Sequence, residues 1–178
     1  MNRPPFRLAL ALVALGAATG CATLRDALAP APQGTPSGRE GWLVYPLRDL
    51  RFEAPATWRP SGGERRVAVA APDGRARLEI SYPEADFPSE AACLAAADGK
   101  LAQQQGVLER ARRHPTRVAG RAGHALEGDQ GGWHVWAWAV CDGGVQYRLF
   151  FTAASPASAE AIEVSRALAA ATRIGGEA

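Results

Sequence analysis

Trp133-His134-Val135-Trp136-Ala137-Trp138-Ala139-Val140-Cys141-Asp142-Gly143-Gly144-Val145-Gln146-Tyr147-Arg148-Leu149-Phe150-Phe151-Thr152 is the stretch whose reading decides the fold. Two runs rich in aromatic and β-branched residues flank Asp142-Gly143-Gly144, and Asp-Gly and Gly-Gly accept the positive φ values of a type I′ turn. A two-residue turn at either dipeptide sorts the side chains in the same way, because they alternate between faces with period two. His134, Trp136, Trp138 and Val140 then share one face with Val145, Tyr147, Leu149 and Phe151. Trp133, Val135, Ala137, Ala139 and Cys141 share the other with Gln146, Arg148, Phe150 and Thr152. The first face is wide and aromatic; the second is small, as suits a helix whose backbone approaches closely. This hairpin is expected at the centre of a sheet.

Upstream, residues 122–127 read as a strand that turns at Gly128-Asp129-Gln130-Gly131-Gly132. Arg66 to Tyr82 reads as a hairpin around Pro72-Asp73-Gly74, where Pro presets φ and Gly tolerates a positive value. Leu50, Phe52 and Ala54 alternate with Arg51 and Glu53, and Trp42 to Tyr45 before them reads as a short strand or an aromatic clip. Ser89 to about Gln105 is helical, with Ser89 as N-cap, Glu90 in the first turn and Gly106 as C-cap. A second helix is expected from Ser155, as N-cap with Pro156 at the first helical position, to about Arg173, with Gly175 ending it. No repeat of 20 to 50 residues occurs, which excludes solenoids and propellers. Strands and helices do not alternate, so the expectation is an α+β fold, an antiparallel sheet of about six strands flanked by two helices.

These residues resemble the PsbP/Mog1-like family. The resemblance lies in the strand ending in Pro55-x-x-Trp58, the hairpin before the first helix, the Val118-Ala119-Gly120-Arg121 lead into the second sheet block, and the closing helix. It covers about residues 42 to 175. It implies an α/β/α sandwich and a non-catalytic binding or assembly-factor domain, and it brings no catalytic residues with it.

The N-terminus carries an address. Arg3 and Arg7 precede an apolar or small run from Leu8 to Ala18, followed by Thr19-Gly20-Cys21. A basic start, a short apolar core and small residues are the parts of a secretory signal. A spanning helix needs about 20 apolar residues, so this run is too short. The segment resembles a bacterial lipoprotein signal, with Ala18 where Leu is usual. The resemblance implies that residues 1–20 are removed and that Cys21 carries a thioether diacylglycerol and an amide-linked acyl chain such as palmitate. Two or more chains hold a protein on a membrane lastingly, whereas one does not. Ala22 after the cysteine implies outer-membrane sorting by analogy with enteric lipoproteins, facing the periplasm. Residues 29–41, rich in Pro and Gly, complete a tether over 21–41, and a single domain is expected over 42–178.

Removing residues 1–20 takes two arginines, so Lys+Arg falls from 20 to 18 against 18 Asp+Glu, and the mature chain is formally neutral. Its global charge offers nothing to nucleic acid. Lipidation of Cys21 leaves Cys93 and Cys141 in an oxidising compartment, where disulfides persist. A bridge between them is expected, since both belong to Ala-rich surfaces that suit close approach. Two separate buried thiols are the alternative, and a Cα separation within about 7 Å decides between them.

Arg110, Arg112, Arg113 and Arg117, with His114 among them, form a candidate anion patch for lipid headgroups or cell-wall polymer; a solvated loop is the plainer reading. The ten-residue spacing of His114, His124 and His134 fits no local metal-ligand pattern. Cys93 sits in no nucleophile signature, and no Gly-x-Ser-x-Gly, phosphate-binding glycine loop or zinc-protease motif occurs. No catalytic residue, metal or cofactor is therefore assigned. The function expected is a lipid-anchored, non-enzymatic binding or scaffold domain with an envelope protein as partner. The alternative is a periplasmic hydrolase or small-ligand carrier using the aromatic face around Trp136, Trp138 and His134. A pocket on that face would favour the alternative; a filled core would favour the scaffold.

Overall fold

The computed structural model describes residues 31–83 and 85–175; the signal segment, Cys21 and the start of the tether lie outside them. In chain order the elements are β1 (Thr35–Pro36), β2 (Trp42–Leu47), β3 (Leu50–Pro55), β4 (Arg59–Gly63), β5 (Arg66–Ala70) and β6 (Ala76–Ser81). They continue as α1 (Glu90–Gln105), β7 (Glu109–Val118), β8 (Arg121–Gln130), β9 (Trp133–Asp142), β10 (Val145–Ala154), α2 (Ala159–Ala171) and β11 (Arg173–Ile174). The strands make two antiparallel sheets, one in the order β1-β2-β3-β11 and one in the order β4-β5-β6-β10-β9-β8-β7. Two sheets with eleven strands among the described residues replace the expected single sheet of about six.

The β9–β10 hairpin turns at Gly143 and Gly144, with φ of 56° and 98°, and pairs Tyr147 with Val140, Leu149 with Trp138 and Phe151 with Trp136. The faces are those that the sequence predicts. On the small face, Ala97 and Leu101 of α1 pack against Leu126, Ala137 and Ala139, so a helix does approach closely there. Ser89 caps α1 by accepting from the Ala92 N–H at 3.2 Å. Cys93 and Cys141 are disulfide-bonded with Cα atoms 6.0 Å apart, which ties the first turns of α1 to the end of β9.

The aromatic face is filled. Tyr147, Leu149 and Phe151 pack with Tyr45, Leu50 and Phe52 of the four-stranded sheet and with Ala161, Val164 and Leu168 of α2. Trp58 closes this core by stacking on Phe151 at 6.2 Å, and its Nε1–H donates to Glu160 at 3.0 Å, which satisfies its polar atom.

Three expectations need correction. The cap of α2 is Ser158, whose hydroxyl accepts from the Ala161 N–H at 3.1 Å; Ser155-Pro156, joined by a cis bond, lies before the helix. The chain leaves α2 at Thr172, so Arg173 and Ile174 pair with Arg51 and Leu50, and Gly175 ends a strand instead of a helix. The domain also begins before Trp42. Thr35 and Pro36 pair with Val44 and Leu43, and the Ser37 N–H donates to the Trp42 carbonyl at 3.0 Å. The Arg39 guanidinium lies 3.9 Å from the Trp42 ring centroid and pairs with Glu163 of α2. Pro-rich composition hid this segment, because it is held by backbone pairing and one arginine without burying apolar residues of its own.

A chain shortened to begin at Gly34 should therefore melt with one that begins at Cys21. One beginning at Gly41 loses β1 and the Arg39 contacts, at a cost of about 1–2 kcal/mol, and its melting temperature should fall by roughly 3–6 °C. Calorimetry showing the same midpoint for both would mean that β1 contributes nothing.

Candidate functional site

Helix α1 covers only part of its side of the seven-stranded sheet. It packs on β7, β8 and β9 and touches β10 at the margin. Beyond it the same face continues over β10, β6, β5 and β4, and the pairing register aligns their side chains in rows. Arg148 lies beside Ser81 and then Arg66; Phe150 lies beside Glu79 and then Ala68; Thr152 lies beside Arg77, Ala70 and then Arg59. Where α1 ends laterally, its Lys100, Leu101 and Gln104 form a wall above this floor and leave an open groove of about 400 Å³. That lies at the small end of the range for ligand pockets.

The floor is built from the buried side outward. Gln146 is 1% exposed, and its Nε2 donates to the Cys93 carbonyl at 3.3 Å. Its Oε1 accepts from Arg148 Nε at 2.7 Å. A fully buried amide thus joins the disulfide-bonded turn of α1 to the arginine in the groove. Arg77 and Arg66 share Glu79, at 3.1 and 3.7 Å. Phe150 adds an aromatic ring that is 40% exposed.

The connection that leads from β6 into α1 is fixed separately. Arg48 stands at φ 55° in the β2–β3 turn and forks onto Asp86 with two bonds of 2.8 Å. These bonds hold the Asp86 carboxyl below the usual range and raise the arginine further. The Phe87 N–H donates to the Gly144 carbonyl at 2.8 Å. A Cβ on Gly144 would stand 2.5 Å from the Phe87 carbonyl oxygen, so only glycine lets this connection cross the hairpin. Burial raises the pKa of the neighbouring Tyr147 phenol.

The predicted arginine patch is divided. Residues 110–117 form most of strand β7 and not a loop, so alternation sends the side chains to opposite faces. Arg113 and Arg117 face the α1 side, level with Leu126 and Ala122, whereas Arg112 is level with Glu127 on the other side. Arg110, at φ 53° in an irregularity of the ladder, reaches Asp129 at 3.0 Å. Arg113 pairs with Asp98 of α1, and Arg117 donates to the Gly120 carbonyl at 2.9 Å. Three of the four are thereby engaged within the fold, and the four make no common surface.

The histidines are also apart. His124 meets Asp98 at 3.3 Å under α1. His134 lies between Asp129 at 2.9 Å and Glu127 at 3.0 Å, one on each ring nitrogen, and its centroid is 4.1 Å from that of Trp136. Its two carboxylates approach from opposite edges of the ring and do not converge on a point. No group of three or more His, Cys, Asp or Glu side chains suited to a metal ion occurs among the described residues. Trp136 and Trp138 are half-buried against the filled core, and Trp136 stacks on Phe151 at 5.3 Å. The groove lies on the opposite side of the sheet from the aromatic cluster, and the sequence reading missed it. Its only sequence signal was the charged face of β6 continuing into Arg148.

No family model matches the chain, and no curated protein does either. Solved structures match in fold. A crystal structure of a protein from Bacteroides thetaiotaomicron overlays with a TM-score of 0.53 at 12% identity, covering 77% of this chain and 49% of that one. This chain thus spans about half of that protein's length. The solution structure of cyanobacterial PsbP (CyanoP) from Synechocystis overlays with a TM-score of 0.52 at 13% identity, covering 79% and 98%. LpqN of Mycobacterium tuberculosis, involved in cell envelope biogenesis, reaches only 0.39 at 17% identity, over 88% and 96%. The domain has a PsbP-like fold, and at these identities the likeness is one of fold alone.

Phe150 and Phe151 are sequence neighbours on opposite faces, one half-open to the groove and one fully buried. Phe151→Ala should destabilise by about 3–4 kcal/mol, and Phe150→Ala by less than about 1 kcal/mol. Chemical denaturation measures both; comparable losses would mean that the groove face is core.

Proposed function

We propose that this chain is an exported protein, lipidated at Cys21, whose domain binds or scaffolds a partner in the cell envelope and does not turn over a substrate. The observation that carries this reading is the filled aromatic face. The alternative, a hydrolase or carrier at Trp136, Trp138 and His134, needs a cavity there, whereas Trp136 and Trp138 lie half-buried against a packed core. What the domain leaves open is a broad, shallow groove on a sheet held rigid by a disulfide, which suits a surface contact better than enclosure of a small molecule. The anchor rests on the Arg3/Arg7, Leu8–Ala18, Gly20-Cys21 series. No helix among the described residues is long and apolar enough to cross a membrane, so attachment in this reading falls to the lipid.

Cell fractionation tests the anchor. The native protein should sediment with membranes at mature size, and Cys21→Ser should be released or remain as precursor. A Cys21→Ser protein found in membranes at mature size would contradict the anchor. For binding, photo-crosslinking residues placed singly at Ser61, Thr152, Arg112 and Val107 should give a discrete protein adduct from at least one position. No adduct from any of them would contradict a scaffold.

A further inference from the structure

We infer that the groove beside α1 is a docking site for an acidic, extended segment of a protein partner, one that carries an apolar side chain among its carboxylates. The inference rests on the binding-domain reading above and assigns its site and its partner's chemistry.

Charge is the first argument. The open half of the face presents Arg59, Arg66, Arg77 and Arg148, and Lys100 overhangs it, against Glu79 alone: five cations less one anion, or +4. The mature chain as a whole is neutral, so this is a concentration of charge on one surface. Arg66 and Arg77 spend part of their charge on Glu79. Arg148 and Lys100 have no carboxylate partner among the described residues, and Lys100 is the only lysine in the chain.

Construction is the second argument. A flexible surface arginine gains little from an anion because ordering its side chain offsets the attraction. Arg148 is already ordered: its Nε is committed to the buried Gln146, whose amide is committed to the Cys93 carbonyl. A guanidinium bonded through Nε keeps its outer edge for a carboxylate, and the ordering cost is met before the ligand arrives.

Shape selects the occupant. The groove itself is floored by β10 and β6 beside β9, with Arg148 and Arg77 in its lining. The same face runs on over β5 and β4, where Arg66 and Arg59 stand beyond it, to a width of about 14 Å at roughly 4.8 Å per strand. The half-open Phe150 places apolar surface on the floor, two residues along β10 from Arg148. α1 walls one side of this floor, so the exposed strip runs alongside the helix. An extended peptide lies in it, with carboxylates on the cations and one apolar side chain on Phe150.

The test uses the full chain in detergent and a fluorescent, end-capped decapeptide of Asp and Glu with Phe at its centre. The peptide should bind with an affinity that falls as salt rises, and its Asn/Gln counterpart should not bind. Arg148→Gln combined with Lys100→Gln should weaken binding at least about tenfold, and Arg112→Gln, outside the groove, should leave it unchanged. Phe150→Ser should weaken the Phe peptide and not one with Ser at its centre. Soluble dihexanoyl-phosphatidylglycerol should fail to compete. Equal binding by the double variant, equal binding of the Asn/Gln peptide, or displacement by the lipid would each overturn the assignment. Crosslinked adducts from Arg112 or Val107 but none from Ser61 or Thr152 would sink the groove and leave the binding function standing.

Discussion

The register of the β9–β10 hairpin is the constraint on which the rest of this structure depends. The turn at Gly143–Gly144 puts Phe151 opposite Trp136 and Ala137 opposite Phe150. A slip of one residue in β10 would carry Tyr147, Leu149 and Phe151 to the side of α1 and leave Gln146, Arg148 and Phe150 facing the small sheet. One side would then be overpacked against a helix backbone, and the other would bury a charge without a partner, each a cost of several kcal/mol. The sheet has one arrangement because its two faces differ so much in volume.

From that register follows what α1 can cover. Small residues on β8 and β9 let the helix lie close, with Ala97 and Leu101 against Ala137 and Ala139. The Cys93–Cys141 bridge then pins its first turns, and it closes a separation of 48 residues. A loop of that size gives on the order of 4 kcal/mol in the chain-entropy view, a large part of a domain's 5–15 kcal/mol. Further along, Asp98 receives Arg113 and His124 from the sheet. The helix is held over β7 to β9 at three levels, and β10 to β4 stay open. The groove is thus a consequence of where the helix is fixed, and Gln146 links that fixing to Arg148.

Much of this was legible in the sequence, and the exceptions have physical causes. The hairpins at 66–82 and 133–152 show as alternation with turn residues between, and both form. The Cys93–Cys141 bridge was readable because two Ala-rich surfaces each carried one cysteine. Strand β7 was not readable: its arginines serve both faces at an exposed edge, so alternation leaves no hydrophobic trace. Strand β4, with Pro60, Gly62 and Gly63, reads as a loop and is a strand because β5 offers it an edge. Ser155-Pro156 and Ser158 both match helix-start chemistry, and only the tertiary path separates them. The groove was beyond sequence reading, since it depends on how far α1 extends sideways over the sheet, which no local pattern encodes.

Native-state hydrogen exchange tests the central claim, that the β9–β10 hairpin and its two packed faces form the most stable unit of the domain. The paired amides of β9, β10 and the adjoining β6 should exchange last and together, at the free energy of global unfolding. Exchange of the hairpin amides by local opening, while the amides of β2, β3 and α2 remain protected, would contradict the account.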